Sequence, residues 1–313
     1  MNSQKRKRNI LLIAAAVCVA FVLFFSMMIG NVIGVQVIEK PGKSFAIINI
    51  KGTIQAGNQG SARVGYDHNA TIEYIDSLIE DETNTGIFLD VDSGGGTVYE
   101  SDETYLKLME YKEKTGRPIH AYFNSTAASG AYYISCAADH IAANRNCWTG
   151  SIGVIISITN VSELYDKLGI DEVLITSGSN KGMGSAGSPM QPEHIAIYQS
   201  LVDESYQQFV EIVSSGRNLD LEQTKKIADG RVYSAQQALD NGLVDEICSY
   251  EEALEYMEEV TESERYYEPL YTPSAFEKMM AELKTIVPKS DAQAAVEAAK
   301  NNLSGVPLYI LQQ

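Results

Sequence analysis

The chain has 313 residues, of which 45% are hydrophobic and 21% charged. That composition supports a sizeable core and excludes a disordered, collagen-like or disulfide-dense protein. The formal net charge is -17, and Lys5-Arg6-Lys7-Arg8 holds four of the basic residues, so the remainder is more acidic still; such a surface repels phosphate backbones and argues against nucleic acid as a partner.

No charge occurs from Asn9 to Ile38, and Ile10 to Gly30 reads ILLIAAAVCVAFVLFFSMMIG. As a helix this run spans about 31 Å, the thickness of a bilayer's hydrocarbon core. A cleaved signal peptide would carry a shorter apolar region ending in a small-x-small site. Residues 10–30 are therefore expected to be an uncleaved anchor in the cytoplasmic membrane. The basic tail 1–9 would stay in the cytoplasm, and everything after a linker over 31–44 would lie outside. Cys18 falls in the anchor, Cys136 and Cys147 sit in apolar surroundings as buried thiols, and with Cys248 they match no zinc spacing.

The body from 45 to 250 alternates two periodicities. Ser44–Ile50, Gly86–Val91 and Pro118–Phe123 are β-rich apolar runs, and Ser151–Ile156 and Glu172–Thr176 are expected strands as well. Between them, Ile72 to Ile79 and Glu100 to Lys114 carry helical spacing, Ser129–Ala138 reads as a short helix, and Gln191–Ser215 as a long amphipathic one. Leu221–Ala228 and Ala235–Asn241 are shorter helices. Strands alternating with helices predict a layered α/β domain with mostly parallel pairing. Residues 251–313 form a C-terminal extension, helical and strongly charged at first, ending in the β-prone Val306-Pro-Leu-Tyr-Ile-Leu311. An apolar tail of this kind does not lie free in water. Either it adds a strand or packs on a subunit, or it lies extended in a substrate groove and pairs its backbone as a peptide would.

Three segments carry candidate chemistry. Asp92-Ser-Gly-Gly-Gly96 follows a strand, and consecutive glycines let backbone N–H groups approach a ligand. No Lys-Ser or Lys-Thr follows them, as a nucleotide loop would require. Ser129 lies among small residues at a strand-to-helix transition, where exposed N–H groups favour a developing negative charge. A helix cap is the commoner role for a serine there. Lys181 lies in a glycine-rich stretch, 178–190, and on its own reads as a solvated loop lysine; Ser151 sits in Thr149-Gly-Ser-Ile-Gly153. The four histidines, His68, His120, His140 and His194, occupy no triad context and no metal-ligand spacing, so no cofactor or metal is expected. A lysine base makes the missing histidine understandable.

With these residues in place, a resemblance is evident. STAASGAYYISCAADHIAAN followed by TGSIGV is similar to the nucleophile region of the bacterial signal peptide peptidase A (SppA) family, and DSGGGTVYES, LITSGSNKGMGS and GRVYSAQQALDNGLVDEI resemble that family's other signatures in the expected order. The resemblance implies a ClpP/crotonase-like fold and a serine endopeptidase with a Ser-Lys dyad. In it Ser129 is the nucleophile, Lys181 the base and Ser151 the residue that holds the base. Gly130 with Gly96 or Gly95 would form the oxyanion hole, Gly96 being favoured. Gly94 stands where the family usually has proline, and Ala131 where it often has glycine; neither change removes a reacting group. The resemblance further implies a homo-oligomer acting on cleaved signal peptides or other apolar peptides. The alternatives are a general membrane protein quality-control protease, a crotonase-like acyl-CoA enzyme, and a catalytically dead scaffold. Against the last two stand, respectively, the complete Ser129, Lys181 and Ser151 set and the presence of both nucleophile and base.

Overall fold

The computed structural model describes residues 42–56, 65–266 and 308–310. The expected basic tail and anchor of residues 1–30 lie outside the described residues, as does most of the extension beyond 266. Among the described residues no helix is long and apolar enough to cross a membrane.

Strand β1 (Ser44–Lys51) is buried on both faces, which is how a strand inside a parallel sheet reads. Its side chains alternate. Ala46, Ile48 and Ile50 enter the main core, while Phe45 and Ile47 enter a smaller core on the opposite face. It pairs in parallel with β2 (Asn84–Ser93), and β2 with β4 (Ile119–Ala128). β9 (Glu264–Tyr266) closes that edge beside β1. The sheet runs β7 (Val232–Ser234), β6 (Trp148–Gly150), β4, β2, β1, β9, with β5 (His140–Ala143) on β4 and β8 (Glu246–Ile247) on β5. Pairing is parallel throughout except where β6 meets β7. The expected α/β layering with a mostly parallel sheet is thus observed.

The main core is covered by α1 (His68–Glu80), α2 (Val98–Thr115), α3 (Gly130–Ser135), α5 (Pro192–Gly216) and α7 (Ala235–Asp240), which contribute residues such as Ile75, Leu108, Tyr132, Phe209 and Ala238. The opposite face is covered by α8 (Tyr250–Thr261) through Ala253, Leu254 and Met257. Under α8, His120 stacks on Tyr256 with ring centroids 5.2 Å apart and lies 5.5 Å from the His140 ring. Burial, and secondarily the neighbouring His140, hold the His120 imidazole down at about 4. Cys136 and Cys147 are free and buried, as expected, and desolvation pushes both thiols up to about 12.

Strand β4 changes partners along its length. His120 to Phe123 pair with β5, whereas Thr126 to Ala128 pair with β6. Ala128 is therefore opposite Gly150, which brings the residues after each, Ser129 and Ser151, side by side at one end of the sheet.

Two expected strands are absent. Residues 151–156 contain only an isolated bridge at Ile155, and 172–176 have no regular structure. Both runs are β-branched and apolar, but neither finds a neighbouring strand within the described residues, and a strand without a partner leaves its backbone groups unpaired. The segment from Ser157 to Met190, with one short helix, α4 (Ser162–Leu168), instead forms an arm held by bonds within itself and by Tyr198 of α5, whose hydroxyl donates to Met183 O at 3.3 Å. Within the arm the Val161 N–H donates to the Ala186 carbonyl at 2.8 Å. Several of its apolar side chains face outward, with Val173 81% and Ile175 96% exposed.

Candidate active site

Ser129 occupies the sharp turn between β4 and α3, at φ 55° and ψ -120°. A non-glycine residue pays strain to adopt such a backbone. The turn is fixed from both sides: the Ser129 N–H donates to the Gly150 carbonyl at 2.8 Å, and its carbonyl accepts from the Tyr133 N–H at 2.9 Å. The residue is buried, yet its Oγ has no hydrogen-bond partner. A buried hydroxyl left unpaired costs free energy that ordinary packing would remove.

The glycines expected beside it converge on the same point. A Cβ on Gly130 would lie 2.4 Å from Ser101 Oγ, 3.1 Å from the Tyr309 carbonyl oxygen and 3.2 Å from the Gly96 nitrogen. One on Gly95, at φ +97°, would lie 2.2 Å from the Tyr309 oxygen and 2.7 Å from the Gly130 nitrogen. The Gly96 and Gly130 nitrogens and one carbonyl oxygen thus share a space a few ångströms across. β3 (Gly95–Thr97) is clamped there by Ile54: the Ile54 N–H donates to Gly95 O at 3.0 Å, and the Thr97 N–H donates to Ile54 O at 2.8 Å. Ser93, which no sequence signal singled out beyond its place before the glycines, braces the turn. Its Oγ donates to Gly52 O at 2.5 Å and accepts from the Gly95 N–H at 3.1 Å.

The carbonyl in that space belongs to the C-terminal tail. β10 (Leu308–Ile310) pairs antiparallel with β3, with Leu308 opposite Thr97, Tyr309 opposite Gly96 and Ile310 opposite Gly95. Of the two readings of this apolar tail, the structure thus places it extended along the glycine strand. The Tyr309 side chain is fully buried.

The structure brings Ser129, Gly95, Gly96 and Gly130 together. Ser151 is close in the sheet register, at φ 50°, its N–H donating to Arg231 O at 2.8 Å. It lines a cavity of about 530 Å³ with Val154, Val202, Asp203, Tyr206 and Asp229. Lys181 is not brought in. It is exposed on a turn of the arm, its N–H donates to Gly178 O at 3.1 Å, and the unpartnered Ser129 Oγ shows that its ammonium does not reach the serine within the chain. Among the described residues no His, Cys, Asp and Glu cluster could hold a metal.

Residues 111–264 match the family model "Peptidase family S49". The "Putative protease slr0021" of Synechocystis sp. is 37% identical over 214 residues, which cover 68% of this chain and 73% of that protein. The chain belongs to peptidase family S49. The "Putative signal peptide peptidase SppA" of Enterococcus faecium is 39% identical over 215 residues, 68% of this chain and 62% of its own length. The "Protease 4" of Haemophilus influenzae is 36% identical over 217 residues, 69% of this chain but only 34% of its own. The SppA-like resemblance read from the sequence, and the serine peptidase class it implies, agree with this membership. The S49 match includes Ser129, Ser151 and Lys181 and stops short of the tail strand, so the tail's position against β3 is a feature of the structure that the family match does not cover.

Proposed function

We propose that the chain is a membrane-anchored serine endopeptidase in which Ser129 is the nucleophile and Lys181 the general base. The observation that carries the reading is the buried, unpartnered hydroxyl of Ser129 in a strained turn, beside two backbone nitrogens that enclose a carbonyl oxygen. Ser129 Oγ adds to the scissile carbonyl carbon while its proton passes to the neutral lysine amine. The N–H groups of Gly96 and Gly130 hold the oxyanion. The proton then goes to the leaving nitrogen as the C–N bond breaks, leaving an acyl ester on Ser129. Water adds to that ester, giving its proton to the same lysine, and the acid departs as Ser129 regains its hydrogen. Each oxyanion donor is worth about 3 kcal/mol in the transition state. The antiparallel pairing of the tail with β3 favours an extended peptide over an acyl thioester as the occupant of the groove. Layering of the ClpP/crotonase kind is consistent with this chemistry. No cofactor takes part.

Lys181 lies on an arm with several apolar side chains facing water, so the reading includes a homo-oligomer in which one subunit's arm delivers Lys181 to its neighbour's Ser129, with Ser151 orienting the amine. The substrates are cleaved signal peptides or other apolar peptides at the outer face of the cytoplasmic membrane, beside the anchor over residues 10–30. The test is to mix full-length Ser129→Ala with full-length Lys181→Ala. Each alone should be inactive, and the mixture should recover part of the wild-type turnover. Wild-type turnover by Lys181→Ala alone would remove lysine from the mechanism, and two dead variants that stay dead after subunit exchange would remove delivery in trans.

A further inference from the structure

The pairing of β2 with β4 slips at one place. Val91 lies opposite Phe123 but Ser93 lies opposite Ala127, so two steps along β2 match four along β4. Two extra residues are thus folded into β4 between Asn124 and Thr126, and a single residue of β2, Asp92, faces them. A bulge of this kind interrupts the ladder, bends its strand and re-aims the residues that follow. Here it coincides with the exchange of β4 from β5 to β6, which falls between Phe123 and Thr126.

The bulge sets a register that the chemistry needs. Counting on from Ser93 and Ala127 puts Gly95 level with Ser129 and Gly96 level with Gly130. The contacts agree: a Cβ on Gly95 would lie 2.7 Å from the Gly130 nitrogen, and one on Gly130 would lie 3.2 Å from the Gly96 nitrogen. Without the two extra residues Gly95 would stand level with Ala127, and Ser129 would overshoot the glycines by about 6–7 Å.

Asp92 holds the bulge. Its Oδ1 accepts from Ser125 Oγ at 2.6 Å and from the Thr126 N–H at 3.1 Å, so a side chain of β2 bonds β4 where the register slips. The Asp92 carbonyl accepts from the Gly52 N–H at 3.0 Å, which ties it to the end of β1. Asp90, two residues back on the same face, steadies the start of the bulge. It accepts from Lys51 Nζ at 2.7 Å and from Asn124 Nδ2, and Asn124 Nδ2 also donates to the Val91 carbonyl at 3.2 Å.

We infer that Asp92 is a positioning residue for peptide hydrolysis: its carboxylate holds the β4 bulge, and the bulge keeps Ser129 and Gly130 in step with Gly95 and Gly96. The inference rests on the reading of Ser129, Gly96 and Gly130 given above. Asp92 acts through β4 and not on the substrate. An alanine at 92 leaves the Ser125 hydroxyl and the Thr126 amide without their acceptor and lets β4 shift. An asparagine keeps an acceptor oxygen in place and holds the bulge without the charge. A shift of one ångström between reacting groups is enough to cost about 10²-fold in rate.

The test uses the full-length chain carrying Asp92→Ala, Asp92→Asn or Ser125→Ala. Exchange of the Thr126 amide, read by NMR on threonine-labelled chain, reports the clamp alone. It should quicken about tenfold or more in Asp92→Ala and stay at the wild-type rate in Asp92→Asn. An unchanged rate in Asp92→Ala overturns the inference. Turnover of an apolar fluorogenic peptide reports the consequence. Asp92→Ala should lose about 10²-fold in kcat with KM within about twofold, and Asp92→Asn should keep at least about a third of the wild-type kcat. Wild-type kcat in Asp92→Ala, or equal losses in the two Asp92 variants, overturns the inference. Ser125 is exposed, so Ser125→Ala keeps the fold even where Asp92→Ala does not. It removes one of the two bonds and should lose about fivefold in kcat; no loss overturns the inference as well. A wild-type chain that cleaves no peptide, or Ser129→Ala chain that cleaves as the wild type does, sinks the peptidase reading instead, and the amide exchange still judges the clamp.

Discussion

Gly96→Ala puts the architecture of the glycine strand to a quantitative trial. A Cβ at this position would lie 1.7 Å from the Ile54 carbonyl oxygen, 2.5 Å from its carbon and 2.7 Å from its Cα. All three are main-chain atoms, so no side chain can rotate away, and the two backbones must part by more than an ångström. Parting them breaks the bonds from the Ile54 N–H to Gly95 O at 3.0 Å and from the Thr97 N–H to Ile54 O at 2.8 Å. Two buried backbone bonds lost with their groups left unpaired cost about 1–3 kcal/mol each, so the loss of stability should total about 2–6 kcal/mol. The same shift carries the Gly96 N–H off the carbonyl it faces, and removal of one such donor lowers turnover about 10²–10³-fold. The assay is guanidinium unfolding followed by Trp148 fluorescence, with peptide turnover measured under native conditions. Gly178→Ala is the control, because nothing lies within 4 Å of a Cβ there. A Gly96→Ala protein that unfolds at the wild-type midpoint and turns over at the wild-type rate would show that Ile54 does not clamp this strand.

The buried His120 makes stability fall on acidification. Its imidazole is held at about 4, chiefly by burial and next by His140, with Asp139 and Asp245 opposing. The unfolded chain takes that proton more readily than the folded one, so stability is full above about pH 6.5 and declines by about 3 kcal/mol as pH falls to 4. His120→Phe should lose less over the same interval in urea titrations, and equal losses in both proteins would refute the assignment. On the arm, Ile175→Asp changes a side chain that is already 96% exposed, so folding stability should move by only about 0.5 kcal/mol. The variant's subunit number by light scattering should fall; an unchanged assembly would mean that the arm's apolar face is not the contact between copies.

The sheet was legible because its strands announce themselves. Runs such as Ala46-Ile-Ile-Asn-Ile50 and Ile87-Phe-Leu-Asp-Val91 are apolar on both faces, the pattern of a central parallel strand. Ser129 and the glycines stood out by position, at a strand-to-helix turn and after a strand, but a helix cap and a plain turn fitted them as well, and only the resemblance joined them into one site. The runs at 151–156 and 172–176 misled for a physical reason. A β-branched apolar stretch encodes readiness to pair, and nothing in it encodes whether a partner strand exists in the same chain. Lys181 reads from its own surroundings as a solvated loop lysine, and it is exposed in the fold; only the resemblance gave it a role, and the local sequence says nothing of where the segment around it lies. Nothing in the sequence sets Tyr133, Phe209 and Tyr309 apart, and only the fold brings their rings together across more than 170 residues of chain.

The turn at Ser129 carries a further consequence for how this protein trades robustness against work. A left-handed backbone at a serine costs about 1–3 kcal/mol, and the buried unpaired hydroxyl adds to it. Alanine there would discard the hydroxyl and keep the strain, whereas glycine would release both. On the proposed reading of Ser129 as the nucleophile, Ser129→Gly should be inactive yet unfold at a higher midpoint than wild type, and the difference would measure the stability given up in every resting molecule to hold one oxygen atom poised.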